Sequence, residues 1–174
     1  MNQPFRLANG TIALTRPITA ADGGALTRGL GRLSPAGHAY RFLQYRKRFS
    51  SAELHYLTHC DFVDHLALIL AILDHSDQEI DQVGVARSIR TPEDPELAEV
   101  AIVVVDEYQG QGGGTALLRH LARLAWEAGI RRWLAFSLED NVAALHLLEK
   151  IGPEISRRRA GAGAIETIYE LPKP

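Results

Sequence analysis

From Asp106 to Ala125 the chain reads DEYQGQGGGTALLRHLARLA, four glycines and two glutamines directly ahead of an amphipathic helix pattern. Gly110, Gly112, Gly113 and Gly114 suit a loop that brings bare backbone against a ligand, because no side chain blocks the approach. The first N–H groups of a helix lack intrahelical partners and the macrodipole is positive there, so an anion is favoured. Cradling a phosphate is the chemistry that fits. A Walker loop ends in Gly-Lys-Ser/Thr, whereas Gly114 is followed by Thr115 and Ala116 and the loop holds no lysine. A dinucleotide fingerprint needs G-x-G-x-x-G; counting from Gly110 and Gly112, Thr115 stands in the third glycine position. The early strand and later acidic residue of that fingerprint are also missing. A ligand-free glycine turn is the plain alternative, and the backbone entropy that glycines cost argues against it.

A second cluster, His55, His59, Cys60 and His65, invites a metal reading because residues four apart share a helix face. Tyr-Leu-Thr between the first two histidines is not the H-E-x-x-H pattern of a zinc protease, and no metal is expected.

The elements that must hold the glycine loop follow from periodicity and turn signals. TIALTRPIT alternates Ile12, Leu14 and Arg16 as a strand does, and Asp22 is placed to cap a short helix ending near Pro35. SSAELHYLTHC reads as a second helix, capped by Ser50 or Ser51 with Glu53 in its first turn. HLALILAIL, QVGVARSI and AEVAIVVVD are apolar or alternating runs between polar turns, which predicts three antiparallel strands. Helical spacing of Ala116, Leu117, Leu121, Leu124 and Ala125 predicts a helix over Gly113–Glu127, stopped by Gly129. RRWLAFSL then reads as a strand and NVAALHLLEK as a helix closed by Gly152 and Pro153. A terminal hairpin turns near Gly161 or Gly163. The order gives a mixed, mostly antiparallel sheet flanked by helices, in the α/β or α+β class.

At 174 residues the chain fits one domain over 1–174. A net charge of -2 gives no pull toward nucleic acid or anionic lipid, so neither is expected as a partner. The start MNQPFRLANG does not look like a signal peptide and no run is long enough for a membrane span. With a single cysteine, Cys60, a cytoplasmic location is expected.

The run Gln109-Gly110-Gln111-Gly112-Gly113-Gly114 matches Q/R-x-x-G-x-G/A and resembles the acyl-CoA pyrophosphate loop of the GNAT superfamily of N-acetyltransferases. The similarity extends over residues 98–152, with Asn141 and Ala144 in an N-x-x-A helix. LSP with RFL (residues 33–43), AELHYLT, DFVDHLAL and VGVAR look like the bacterial protein-lysine acetyltransferase branch, whose members acetylate acyl-CoA synthetases. The resemblance implies a GNAT fold and acetyl-CoA as co-substrate. It implies that backbone amides at Ile102, Val103, Val104 and Val105 hold the thioester and pantetheine. Gln109, Gly110, Gln111, Gly112, Gly113, Gly114 and Thr115 would hold the pyrophosphate, with Asn141 part of the same site.

An amine attacks a thioester only when neutral, and about one lysine in a few thousand is neutral at pH 7. The family commonly carries a glutamate where Glu99 stands, ten positions before Gln109 at the expected opening of a strand, and this implies Glu99 as general base. Many members place a tyrosine seven residues after the asparagine to protonate the leaving thiolate; here that position is Leu148, and no general acid is assigned. His146 is expected as a surface or packing residue, and Pro153 replaces a usual aromatic. Arg157, Arg158 and Arg159 read as a solvated strand face, the alternative being contact with an acidic partner or the CoA 3′-phosphate. The acceptor is then an amine, a protein lysine first and a small molecule second. A CoA-binding module without turnover stays open as a different class.

Overall fold

The computed structural model describes residues 4–42 and 48–174. In chain order the elements are β1 (Phe5–Arg6), β2 (Ile12–Pro17), α1 (Gly23–Gly31), α2 (Pro35–Phe42), α3 (Ser51–Thr58), β3 (His65–Leu73), β4 (Glu79–Thr91) and β5 (Asp94–Val104). There follow α4 (Gly113–Glu127), β6 (Arg132–Leu138), α5 (Val142–Glu149), β7 (Glu154–Gly161) and β8 (Ala164–Glu170). The strands form one sheet of order β1-β2-β3-β4-β5-β6-β8-β7, in which β5 and β6 run parallel and the other neighbours antiparallel. This is the mixed, mostly antiparallel sheet expected from the order of elements.

The continuous apolar run of β3 is buried along its whole length because helices cover both faces. Leu66, Leu68, Leu70 and Ile72 join the main core with Leu117, Leu118, Leu121 and Ala125 of α4. The alternate residues Ala67, Ile69 and Ala71 join a smaller cluster with Ile18, packed by Leu26 of α1. Among the described residues no helix is long and apolar enough to cross a membrane.

Several boundaries differ from the sequence reading. Pro35 does not end a helix; it opens α2, where its missing N–H costs nothing, and Ser34 Oγ accepts from Gly37 N at 3.1 Å. Asp22 precedes α1 but makes no side-chain cap bond there; its carboxylate accepts instead from Arg16 and from Thr19 N. Ser50 does cap α3, in a reciprocal box with Glu53. Strand β1 has two residues, too few to give a periodic signal. Strand β5 starts at Asp94, so Glu99 is not at its opening but sixth of eleven residues. Leu43, the end of the RFL stretch, lies outside the described residues.

Candidate active site

The site is built around a place where the sheet comes apart. β5 pairs with β6 through Leu97↔Arg132, Ala98↔Trp133 and Glu99↔Leu134, and no rung follows. Past Glu99, β5 stays on β4 as far as Gly84↔Val104, while β6 follows β8 as far as Leu138↔Ala164. A wedge therefore opens between two strands that each remain paired on their outer side.

Backbone polarity in the wedge follows from register. Val105 N donates to Val83 O at 2.9 Å, and backbone groups on an antiparallel strand alternate in direction. Val103 and Val105 thus spend their N–H groups on β4, which corrects the expectation that all four residues offer amides to a ligand. Ile102 and Val104 turn theirs to the wedge. Gln109 Nε2 donates to Val104 O at 2.9 Å, so the carbonyl at the end of the strand is held by the first residue of the glutamine-glycine loop.

The loop is pinned by its own side chains. Gln111 Nε2 donates to Glu107 O at 2.8 Å, and Gln111 O accepts from Ala8 N at 3.1 Å. The four glycines answer different needs. Gly110 and Gly112 have φ of 71° and 90°, the left-handed region. A Cβ on Gly113 would stand 2.6 Å from Leu70 Cδ2, so this glycine lets α4 sit down on β3. A Cβ on Gly114 would reach 3.2 Å from Leu147 Cδ2, narrowing the gap between α4 and α5. The helix ladder begins at Ala116 N→Gly112 O, which leaves Gly113, Gly114 and Thr115 N–H groups without a protein acceptor among the described residues.

These parts bound a groove of about 530 Å³ whose walls include Ile102, Val103, Val104, Gln109, Gly110, Gly112, Gly114, Thr115 and Asn141. Asn141 caps α5, its Oδ1 accepting from Ala144 N at 3.2 Å, which accounts for the N-x-x-A spacing. Tyr108, His146 and Lys150 also line the groove and were not expected there. The signal was present: Ala143, His146, Leu147 and Lys150 recur at three and four, one helix face. Leu148 falls off that face and is buried in the core shared with α4, so it offers nothing to the groove. Gly152 is fixed by contact, since a Cβ would stand 1.8 Å from Glu170 O.

Glu99 is exposed and stands at the last rung before the wedge. Ala98, Val100 and Val104 enter the core under α4, so Glu99, Ala101 and Val103 point to the opposite face of the sheet. Arg87 shares that face opposite Ala101, and its Nη1 donates to His65 Nε2 at 2.8 Å. Burial, then the Arg87 charge, holds the His65 imidazole below its usual value. His55 and His59 stack at 3.8 Å, and among the described residues no group of His, Cys, Asp and Glu could hold a metal ion. Arg157, Arg158 and Arg159 each meet a carboxylate, of Glu154, Glu166 and Glu139 respectively, along an exposed edge strand.

The wedge, the uncapped glycine start of α4 and the order of elements together define a mixed-sheet fold with an anion-favouring groove at a split between two strands. The Acetyltransferase (GNAT) family model matches residues 37–152, and the chain belongs to that family: it is an N-acetyltransferase of the GNAT type. An acetyltransferase of Pseudomonas aeruginosa is 32% identical over 146 residues, 84% of this chain and 77% of that protein. The acetyltransferase Pat of Mycolicibacterium smegmatis is 29% identical over 170 residues, which are 97% of this chain and 49% of Pat. The chain thus spans about half the length of that relative. The solved GNAT domain of S. lividans PAT superposes with a TM-score of 0.82 at 30% identity, covering 98% of this chain and 97% of that one.

Proposed function

We propose that the protein transfers an acetyl group from acetyl-CoA to a primary amine, that of a protein lysine, with Glu99 as general base. The observation that carries this reading is two sets of unpaired amides, Ile102 and Val104 at the wedge and Gly113, Gly114 and Thr115 at the helix start. The fit to the co-substrate is specific in kind. A pyrophosphate needs N–H donors and a positive dipole, which the start of α4 supplies, and a pantetheine amide needs a strand edge. Gln109, Gly110, Gln111 and Gly112 shape the loop around the first, and Asn141 closes the groove beside it. Bound there, acetyl-CoA supplies an acyl thioester whose C–S bond breaks as the acceptor's N–C bond forms.

Glu99 takes the proton that the ammonium must lose, from the face of the sheet opposite α4. General-base assistance of this kind contributes about 10²–10⁴-fold. The proton finally needed by the departing thiolate has no assigned side-chain donor, because Leu148 is turned into the core. The protein-lysine acceptor is supported by similarity to Pat and to the GNAT domain of S. lividans PAT along nearly the whole chain. The test is to incubate the protein with acetyl-labelled acetyl-CoA and a cell extract split by size, beside Glu99→Gln. Label on protein lysines that falls in the variant is the expected result; label confined to small molecules would replace the acceptor.

A further inference from the structure

On the face of the sheet opposite α4 lies a second hollow, an apolar cavity of about 300 Å³. Ala25, Leu26 and Leu30 of α1, Leu57 of α3, and Ile69 and Val85 of the sheet give its wall an aliphatic part. Val103 belongs to this wall and to the wall of the groove, and no other residue lines both. The two spaces therefore share a wall at the strand whose free amides face the wedge.

The chemistry of the wall decides what the cavity can hold. It is mainly aliphatic, so transfer of apolar atoms into it from water is favourable. The charged groups at its wall are the Arg87 guanidinium, 4% exposed, and the Glu53 carboxylate. Glu53 stands at the same wall with Oε2 accepting from both Ser50 N and Ser50 Oγ, closing the helix cap. A lysine ammonium entering here would exchange water for a mainly aliphatic wall, which is costly. Glu99, by contrast, is no part of the wall, so the amine and its base meet outside the cavity.

We infer that the cavity receives the outer methylenes of acyl groups longer than acetyl, making linear saturated acyl-CoAs of about three to six acyl carbons substrates. The inference rests on the reading of the groove as the acyl-CoA site. The bond exchange is that of acetyl transfer: the amine's N–C bond forms, the C–S bond breaks, and the proton leaves with the thiol.

The experiment is a calorimetric binding series with acetyl-, propionyl-, butyryl- and hexanoyl-CoA, which needs no acceptor. Affinity is expected to rise about three- to fourfold for each added methylene. Gly29→Leu adds bulk to the wall from α1, where a Cβ meets nothing within 4 Å, and Ala25→Leu does so one turn earlier. In a folded variant hexanoyl-CoA affinity should fall about tenfold or more while acetyl-CoA affinity holds. Flat or falling affinity along the series in the wild type overturns the inference, as does an equal loss for every donor in both variants. If acetyl-CoA itself fails to bind, the reading of the groove falls and the inference with it. If acetyl-CoA binds and the longer donors gain nothing, the cavity assignment alone is lost.

Discussion

Glu99 and Leu134 form the last rung between β5 and β6, so the proposed base stands where the strands part. An exposed carboxylate at that point touches no core, and Glu99→Gln should change stability by less than about 0.5 kcal/mol. Turnover should fall about 10²–10⁴-fold with acetyl-CoA affinity unchanged. Steady-state kinetics beside calorimetric binding checks this, and unaltered turnover would remove Glu99 from the mechanism.

The neighbouring glycines Gly112 and Gly113 should separate in their behaviour. Gly113→Ala drives a Cβ to 2.6 Å from Leu70 Cδ2, and overpacking of this kind costs about 1–3 kcal/mol. Leu70→Ala in the same chain should relieve the clash, so the double variant loses less than the sum of the singles. Gly112→Ala meets nothing within 4 Å but must hold φ at 90°, at a cost of about 1 kcal/mol. Because Gly112 precedes the free amides of α4, its substitution should also weaken acetyl-CoA binding. Denaturant unfolding and calorimetry on the four variants distinguish the two mechanisms.

Such positions show what a sequence can carry. The glycine run and the helix behind it were legible because φ freedom and amphipathic spacing are local properties. The wedge was not, since AEVAIVVV looks the same whether its free edge meets a strand or a ligand. For the same reason the sequence could not divide Ile102, Val103, Val104 and Val105 into residues that face β4 and residues that face the groove; that division depends on register with β4. Pro35 is ambiguous in the sequence because proline stops one helix and starts another equally well, and only Ser34 ahead of it favours the second. His146 reaches the groove because Ala143 and Lys150, three residues before and four after, share its helix face, which becomes a groove wall only once α5 is set opposite β5.

Stability should decline as pH falls through the histidine range. Burial, then Arg87, depresses His65; burial, then Arg123, depresses His120, whose Nδ1 lies 2.8 Å from Thr15 Oγ1. Above the unfolded value of 6.5 both states hold these rings neutral. As pH drops below it the unfolded chain takes up protons that the folded chain resists, so stability present at neutral pH is lost. Unfolding free energies between about pH 7.5 and 5.5 should fall less steeply in His65→Gln and in His120→Gln, by up to about one proton each. Glutamine can still accept from Arg87 in the first. Wild-type slopes in both variants would show that neither ring is the source.

Asn141 serves two purposes that substitutions can part. Its Oδ1 accepts from Ala144 N at 3.2 Å, and the residue lines the groove proposed for an anionic co-substrate. Asn141→Ala removes the cap and should cost about 1 kcal/mol of stability. Asn141→Asp keeps a cap acceptor, so stability should hold, but it sets a carboxylate beside a groove whose free amides favour an anion. Acetyl-CoA affinity should then fall in the aspartate variant, and the loss should shrink as salt screens the added charge. Thermal unfolding together with binding at two salt concentrations reads both effects. An aspartate variant that binds acetyl-CoA as well as the wild type at low salt would place the bound anion away from Asn141 and leave that residue a helix cap alone.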